Sequence, residues 1–264
     1  MFRLPSPVGM LAYAAAWLIP WRSLYRVRPH NTSLAFIVHR RDAIGRHIAK
    51  YGAHEPALTS WIARHLATSP PGIVVDVGAN LGWHAVHAAR HAAVETVVAF
   101  EPDAFNAWLL DQNLSLNNID NVAVCAHALG ARSGLAELHR YKASNLGRHS
   151  LIANYGLGAK LVPVCALDSA LDNLGLGDRR ILLLKIDVEG YEPAVIEGAC
   201  RALERTDVVI LEYSPNLSRT GGLSIDGMVD RLYRCGFKPF AIGDDGSVAP
   251  IGHETLGAVD GQMD

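Results

Sequence analysis

Several common signatures are missing from this chain, and each absence removes a class of function. The four cysteines, Cys125, Cys165, Cys200 and Cys235, lie 40, 35 and 35 residues apart, with no C-x-x-C pair. Such spacing suits neither a zinc knuckle nor a disulfide scaffold, and it points to buried free thiols in a reducing compartment. No G-x-G-x-x-G fingerprint occurs, so the sequence lacks the loop that closes on a dinucleotide pyrophosphate. The apolar run from Val8 to Trp21 has 14 residues, fewer than the roughly 20 that a membrane-spanning helix needs. A net charge of −2 gives no case for nucleic-acid binding by the whole molecule. Neither an internal repeat nor a low-complexity tract interrupts the chain.

What is present describes a folded globular protein. Half of the 264 residues are apolar and 19% are charged, enough for one large α/β domain with a short extension. Charge is unevenly spread. Residues 1–50 hold eight Lys/Arg against one acid, Asp42, a net +7 that the remainder balances with −9. The run Val8–Trp21 is flanked by Arg3 and Arg22. It reads as a segment at a membrane interface or on a partner, or equally as an extra helix packed on the domain itself. A signal peptide fits less well, because Pro20-Trp21-Arg22 is a poor cleavage site.

Periodicity then predicts alternating elements. A helix over 55–67 stops at Ser69-Pro70-Pro71-Gly72. Strand 73–77, helix 82–92, strand 96–100, helix 103–117 and strand 122–126 follow. Two alternating stretches, from Gly134 and from Lys160, predict an antiparallel excursion around a polar loop at 142–158. Helix 167–174, strand 181–186, helix 191–204, strand 208–212, helix 224–235 and strands 237–242 and 247–251 complete the pattern. The expectation is a doubly wound, mostly parallel sheet with ligands at the strand carboxyl ends.

The most informative stretch is Val74-Val75-Asp76-Val77-Gly78-Ala79-Asn80-Leu81-Gly82, a strand, a tight turn and a helix start. Gly78 and Gly82 would let the backbone approach a ligand where a Cβ would collide. Asn80 stands where a pyrophosphate loop needs glycine. A second strand ends in Glu101-Pro102, nineteen residues beyond Gly82 and close to the spacing at which an acid reaches a ribose. A ligand with a ribose but no phosphate fits both features, and S-adenosylmethionine is the common one.

These residues carry a family resemblance. Asp76-Val-Gly-Ala-Asn-Leu-Gly82, Phe100-Glu-Pro-Asp103, Ala128-Leu-Gly130 with Gly134 beyond, Ser150-Leu151 and Leu167-Asp168 resemble the FkbM family of S-adenosylmethionine-dependent methyltransferases. The most specific part is Leu184-Lys-Ile-Asp-Val-Glu-Gly-Tyr-Glu192, followed by Val209-Ile-Leu-Glu212. The resemblance implies a class I (Rossmann-like) methyltransferase fold with an antiparallel insertion, and O-methylation of a sugar, glycolipid or secondary metabolite. By position it implies that Asp76, Gly78, Ala79, Asn80 and Gly82 underlie the methionine portion. Glu101, with Pro102 and Asp103 beside it, would hold the ribose. His127, Ala128 and Leu129 would flank the adenine, and Ser150 would lie near the cofactor mouth. His127 and Gly130 depart from the family's usual Asn and Asp or Ser at these places. The implied organisation is a basic, apolar extension over 1–50, a methyltransferase domain over 51–252 and a loose tail over 253–264.

An alcohol needs a base as its proton leaves. Asp187 is the first candidate, Glu189 the second, Lys185 a partner that steadies them, and His149 a further candidate with a suitable intrinsic pKa. Asp187, Glu189 and Glu212 alternatively suggest an oxygen-ligand Mg²⁺ site. His84, His87 and His91 read as an ordinary helix side, and Arg40-Arg41 and Arg179-Arg180 as solvated charges. Two other functions stay open: a nucleotide-dependent oxidoreductase, and a non-catalytic cofactor-binding interaction protein. The expected place is the cytoplasm, with peripheral contact at the inner membrane face through residues 8–28. The expected partner is a small or lipid-linked glycan acceptor and not nucleic acid.

Overall fold

The structure, a computed structural model, describes Met10, residues 23–30 and residues 32–252. The apolar run apart from Met10, the flanking Arg3 and Arg22, and the tail at 253–264 lie outside the described residues. Its centre is a five-stranded, all-parallel sheet of β3 (Gly72–Val77), β4 (Val94–Phe100), β5 (Val122–Cys125), β9 (Ile181–Ile186) and β10 (Val209–Leu211), in the order β10-β9-β3-β4-β5. The order reverses at β3, so ligands are expected over the carboxyl ends of β3, β4 and β9.

Both faces of the sheet are covered, which is why its strands read as unbroken apolar runs. Along β3 the two-residue period sends Val74 to one core with Leu66, Val86 and Leu110, and Ile73, Val75 and Val77 to the other with Leu171, Val195 and Leu203. The first face is covered by α2 (Pro56–Thr68), α3 (Trp83–Ala88) and α4 (Ala104–Leu116). The second is covered by α5 (Leu167–Asn173), α6 (Glu192–Glu197), α7 (Cys200–Glu204) and α9 (Ile225–Arg234). Between α7 and α9, α8 (Pro215–Thr220) follows β10.

Described residues on both sides of position 50 share the first core. An antiparallel pair, β1 (Leu24–Val27) and β2 (Phe36–His39), leads into α1 (Ala43–Tyr51), and Val27, Phe36, Val38 and Ile48 are buried in the first core. Side-chain amides in α4 and at its C-terminal cap tie this region down. Asn113 Oδ1 accepts from Ile37 N at 2.6 Å, and Asn117 Oδ1 accepts from Ala35 N at 2.9 Å. Arg40, expected in solvent, is buried there.

Other differences have local causes. The expected helix over 191–204 divides into α6 and α7, because Gly198 packs so closely that a Cβ would lie 2.1 Å from the Gly130 carbonyl oxygen. The antiparallel excursion is a separate sheet, in the order β6 (Ala128–Leu129), β8 (Ala159–Cys165) and β7 (Gly134–His139). The last strands, β11 (Phe240–Ile242) and β12 (Val248–Pro250), pair only with each other. Cys125 and Cys165 are half-buried and all four thiols are free, but Cys200, at the start of α7, and Cys235, just after α9, are exposed rather than buried.

Candidate active site

The carboxyl ends of β3, β4 and β9 open into a cavity of about 590 Å³. Its floor is the 78–81 turn, Glu101, Lys185, Asp187, Glu189 and Glu212. One wall is α1, and the roof is the 145–149 segment, where a 3₁₀ turn spans Leu146–Arg148. Three of the four non-glycine residues with positive φ among those described, Glu55 (42°), Asn80 (50°) and Glu189 (52°), line it. Such backbone conformations are costly for residues with a Cβ, and they concentrate where surrounding structure fixes a functional side chain.

The 76–82 turn is shaped by its own neighbours. Gly78 has φ 80°, and a Cβ there would lie 1.9 Å from the Asp187 carbonyl oxygen. At Gly82, φ is 88° and a Cβ would lie 2.2 Å from Leu110. Packing against the protein by itself requires glycine at both positions, and Gly78 also lines the cavity. Asn80 N donates to Glu101 Oε2 at 2.9 Å, and Asp103 N donates to Glu101 Oε1 at 2.8 Å. Burial pushes the Glu101 carboxyl up to about 8 despite these bonds. Asp103 is turned away from the cavity and caps α4, accepting from Phe105 N and Asn106 N.

Asp76 and Lys185 face each other across the sheet as register partners. Both Asp76 oxygens are buried without a hydrogen-bond partner, and burial raises its pKa against the pull of Lys185. Lys185 Nζ donates to Asp187 Oδ2 at 2.9 Å. Burial alone would lower the Lys185 ammonium, but Asp187, Asp76 and Glu55 together hold it above the ordinary lysine range. Asp187 is likewise opposed by burial, yet Lys185 and a hydrogen bond from Glu212 keep it below the usual carboxylate range. Burial and that bond push Glu212 far upward, so Glu212 carries the proton between the two carboxyls.

Glu189 is different. Its Oε2 is buried without a partner, its Oε1 lies 3.4 Å from Arg148 Nε, and burial pushes its pKa up to about 7. Ser150 does not reach the cavity. It is fully buried, donates to the Glu189 carbonyl at 3.0 Å, accepts from Ile152 N and Ala153 N, and thereby fixes the Glu189 turn. His149 lines the cavity, but its Nδ1 accepts from Tyr141 N at 3.0 Å, which leaves Nε2 carrying the proton in the neutral ring. His127, Ala128 and Leu129 line the cavity beyond Glu101.

No three His, Cys, Asp or Glu side chains among the described residues are grouped to hold a metal ion. With Asp187 bound to Lys185 and sharing a proton with Glu212, the trio Asp187, Glu189 and Glu212 does not fit Mg²⁺.

The structure adds residues that sequence reasoning missed. Glu55 accepts at 2.8 Å from His84 Nε2 and lies 3.3 Å from His54 Nε2, and all three line the cavity beside Trp83. His84, on a helix side expected to be ordinary, faces the cavity. The available signal was Glu55 directly before Pro56, an acid at the start of a helix.

A methyltransferase FkbM domain matches residues 76–239, more than half of the chain. The chain belongs to this family. The match covers every floor residue named above, while Glu55, which also lines the cavity, lies outside it. Among curated proteins, the AMB antimetabolite synthetase AmbE of Pseudomonas aeruginosa is 27% identical over 205 residues, 64% of this chain. The chain spans about 10% of the length of that relative. Among solved structures, methyltransferase FkbM from Methylobacillus flagellatus overlaps 54% of this chain and 32% of its own, at 19% identity and a TM-score of 0.37. M. jannaschii TYW2 in complex with AdoMet overlaps 39% of this chain and 42% of its own, at 19% identity and a TM-score of 0.29. The class I arrangement of this FkbM domain follows from its own strand order, parallel with the reversal at β3.

Proposed function

We propose that this FkbM domain transfers a methyl group from S-adenosylmethionine to a hydroxyl oxygen, with Glu189 as the base. The observation that carries this reading is the Glu189 carboxylate: in the cavity, one oxygen unpartnered, pKa pushed up to about 7. A general base works best when its pKa lies near the operating pH. Asp187 is a weaker base because Lys185 and Glu212 hold its charge in place, and its role here is to orient. His149 has its free lone pair engaged by Tyr141 N.

The residues present suit the donor. When bound, S-adenosylmethionine supplies a methyl on a cationic sulfur, which keeps the bonding electron pair as the methyl passes to oxygen. The carboxylates of Asp187 and Glu189 on the floor favour a ligand of that charge, and Asp76 lies buried behind the turn with both oxygens unpartnered. Glu101 would hold the ribose, the 78–80 turn the methionine portion, and His127–Leu129 the adenine. Glu189 takes the hydroxyl proton at Oε2. Arg148 balances the carboxylate before the transfer, and the roof excludes water from the reacting atoms. The acceptor is a sugar, glycolipid or secondary metabolite, and the proposed setting is cytoplasmic with peripheral membrane contact. No helix among the described residues is long and apolar enough to cross a membrane. Family membership favours this reading over a nucleotide-dependent oxidoreductase.

Glu189→Gln tests it. Product S-adenosylhomocysteine is followed with a panel of glycoside and glycolipid acceptors. Turnover should fall about 10²–10⁴-fold, with S-adenosylhomocysteine affinity by calorimetry within about twofold of wild type. The wild-type rate should rise with pH through about 7, as the base loses its proton, and the variant should lose that rise. Full activity in the variant would refute the role of Glu189. Donor binding without turnover on any acceptor would favour a non-catalytic member.

A further inference from the structure

The cavity carries opposite charges on its floor and on its α1 wall. Four cationic side chains line it: Arg46, Lys50, Arg148 and Lys185. Lys185 is bound to Asp187 at 2.9 Å, and Arg148 sits 3.4 Å from Glu189. The other two have no acidic partner within ion-pair distance among the described residues. They stand one helical turn apart on α1, so they share a face, together with His47 and Tyr51. Among the described residues Arg46 Nη2 reaches the Ser144 carbonyl alone, at 3.4 Å, and Lys50 Nζ lies over the Tyr51 ring at 5.0 Å. Neither group is fully solvated, because both are half-buried at the cavity wall.

We propose that this face of α1 is an anion subsite, and that the acceptor carries a phosphate or carboxylate group beside the hydroxyl that is methylated. The assignment rests on the methyltransferase reading above and deepens it. A donor bearing a sulfonium and an ammonium belongs on the acidic floor. Two uncompensated cations on the facing wall then select the other substrate, through charge-assisted hydrogen bonds stronger than those to a neutral hydroxyl. The anionic group comes from a soluble sugar phosphate or from a lipid headgroup, and the chemistry of recognition is the same for both.

The test uses the full chain, with and without saturating S-adenosylhomocysteine, titrated by calorimetry with glucose 1-phosphate and with glucose. A second arm measures cosedimentation with phosphatidylcholine vesicles with and without phosphatidic acid. Glucose 1-phosphate or the phosphatidic acid vesicles should bind, and glucose and plain phosphatidylcholine should not; the arm that binds more tightly identifies the source. The double variant Arg46→Gln, Lys50→Gln should lose at least about tenfold in that binding. Arg46→Lys with Lys50→Arg should keep it within about threefold, which separates lost charge from lost folding. S-adenosylhomocysteine affinity should stay within about twofold in both variants. Absence of phosphate binding by wild type in both arms, or binding indifferent to the neutral variant, overturns the subsite. A matching loss of S-adenosylhomocysteine affinity in the neutral variant also overturns it, by assigning the cations to the donor's carboxylate. Failure of wild type to bind S-adenosylhomocysteine, with phosphate binding intact and sensitive to the neutral variant, overturns the donor assignment and leaves the anion site supported.

Discussion

Glu192 supplies a stability prediction that needs no substrate. The side chain is at the start of α6, 1% exposed, with Oε1 accepting from Gly190 N at 2.9 Å and Oε2 lying 3.5 Å from Ser218 Oγ. Burial pushes its pKa from 4.5 up to about 7. Between those values the folded state holds a proton that the unfolded state has lost, so stability falls as pH rises through this window. For one such carboxyl the loss between about pH 5 and about pH 8 amounts to about 2.5 kcal/mol. Glu192→Gln is neutral throughout. Its amide oxygen can still accept from Gly190 N, and its NH₂ can donate to Ser218. The variant should therefore gain about 2.5 kcal/mol on the wild type over that pH interval, about 5–10 °C in unfolding midpoint for a chain of this size. Denaturant unfolding of the ligand-free protein, followed by circular dichroism at both pH values, measures it. A difference between the two proteins that is the same at both pH values would refute the protonated state assigned to Glu192.

Two further outcomes follow from the buried charges under the cavity. Asp76→Ala should weaken S-adenosylhomocysteine binding at least about tenfold, about 1.4 kcal/mol, by calorimetry, because the carboxylate anchors the charge behind the donor turn; unchanged affinity would sink that assignment. Lys185→Met strips the countercharge from Asp187, Asp76 and Glu55 and should cost about 3–5 kcal/mol in chemical denaturation, and an unaltered midpoint would show that the lysine does not hold this network.

Legibility in the sequence followed the range of the interactions. The parallel strands were legible because β3, β4 and β9 are apolar on both faces, a local property of composition. Asp76, Glu101 and Asp187 could be placed at one sheet edge because each ends a strand. β1, β2 and α1 were missed because their order depends on distant partners, the amides of Asn113 and Asn117 more than seventy residues away. The choice between Asp187 and Glu189 was beyond one-dimensional reading for the same reason. It turns on Glu212 and Arg148, which approach only after folding. Ser150 and Gly78 were found as motif positions, but the contacts that require them are with the protein's own backbone.

Asp42 joins two parts of the cavity through a single carboxylate. Its Oδ2 accepts from Gly45 N at 3.1 Å and so caps α1, while its Oδ1 accepts from Leu146 N at 2.7 Å and holds the roof. From the other side Asn106 Nδ2 donates to the Leu146 carbonyl at 3.1 Å. The wall and the roof therefore share one fastening, like two leaves on a common pin. Lifting the roof alone would break the Leu146 N bond to Asp42, while Gly45 N kept its own oxygen and α1 its cap. The roof is thereby fastened on two sides, to the residue that caps α1 and to Asn106 of α4, and α1 is itself anchored in the first core through Ile48, so wall and roof are held as one unit around the cavity.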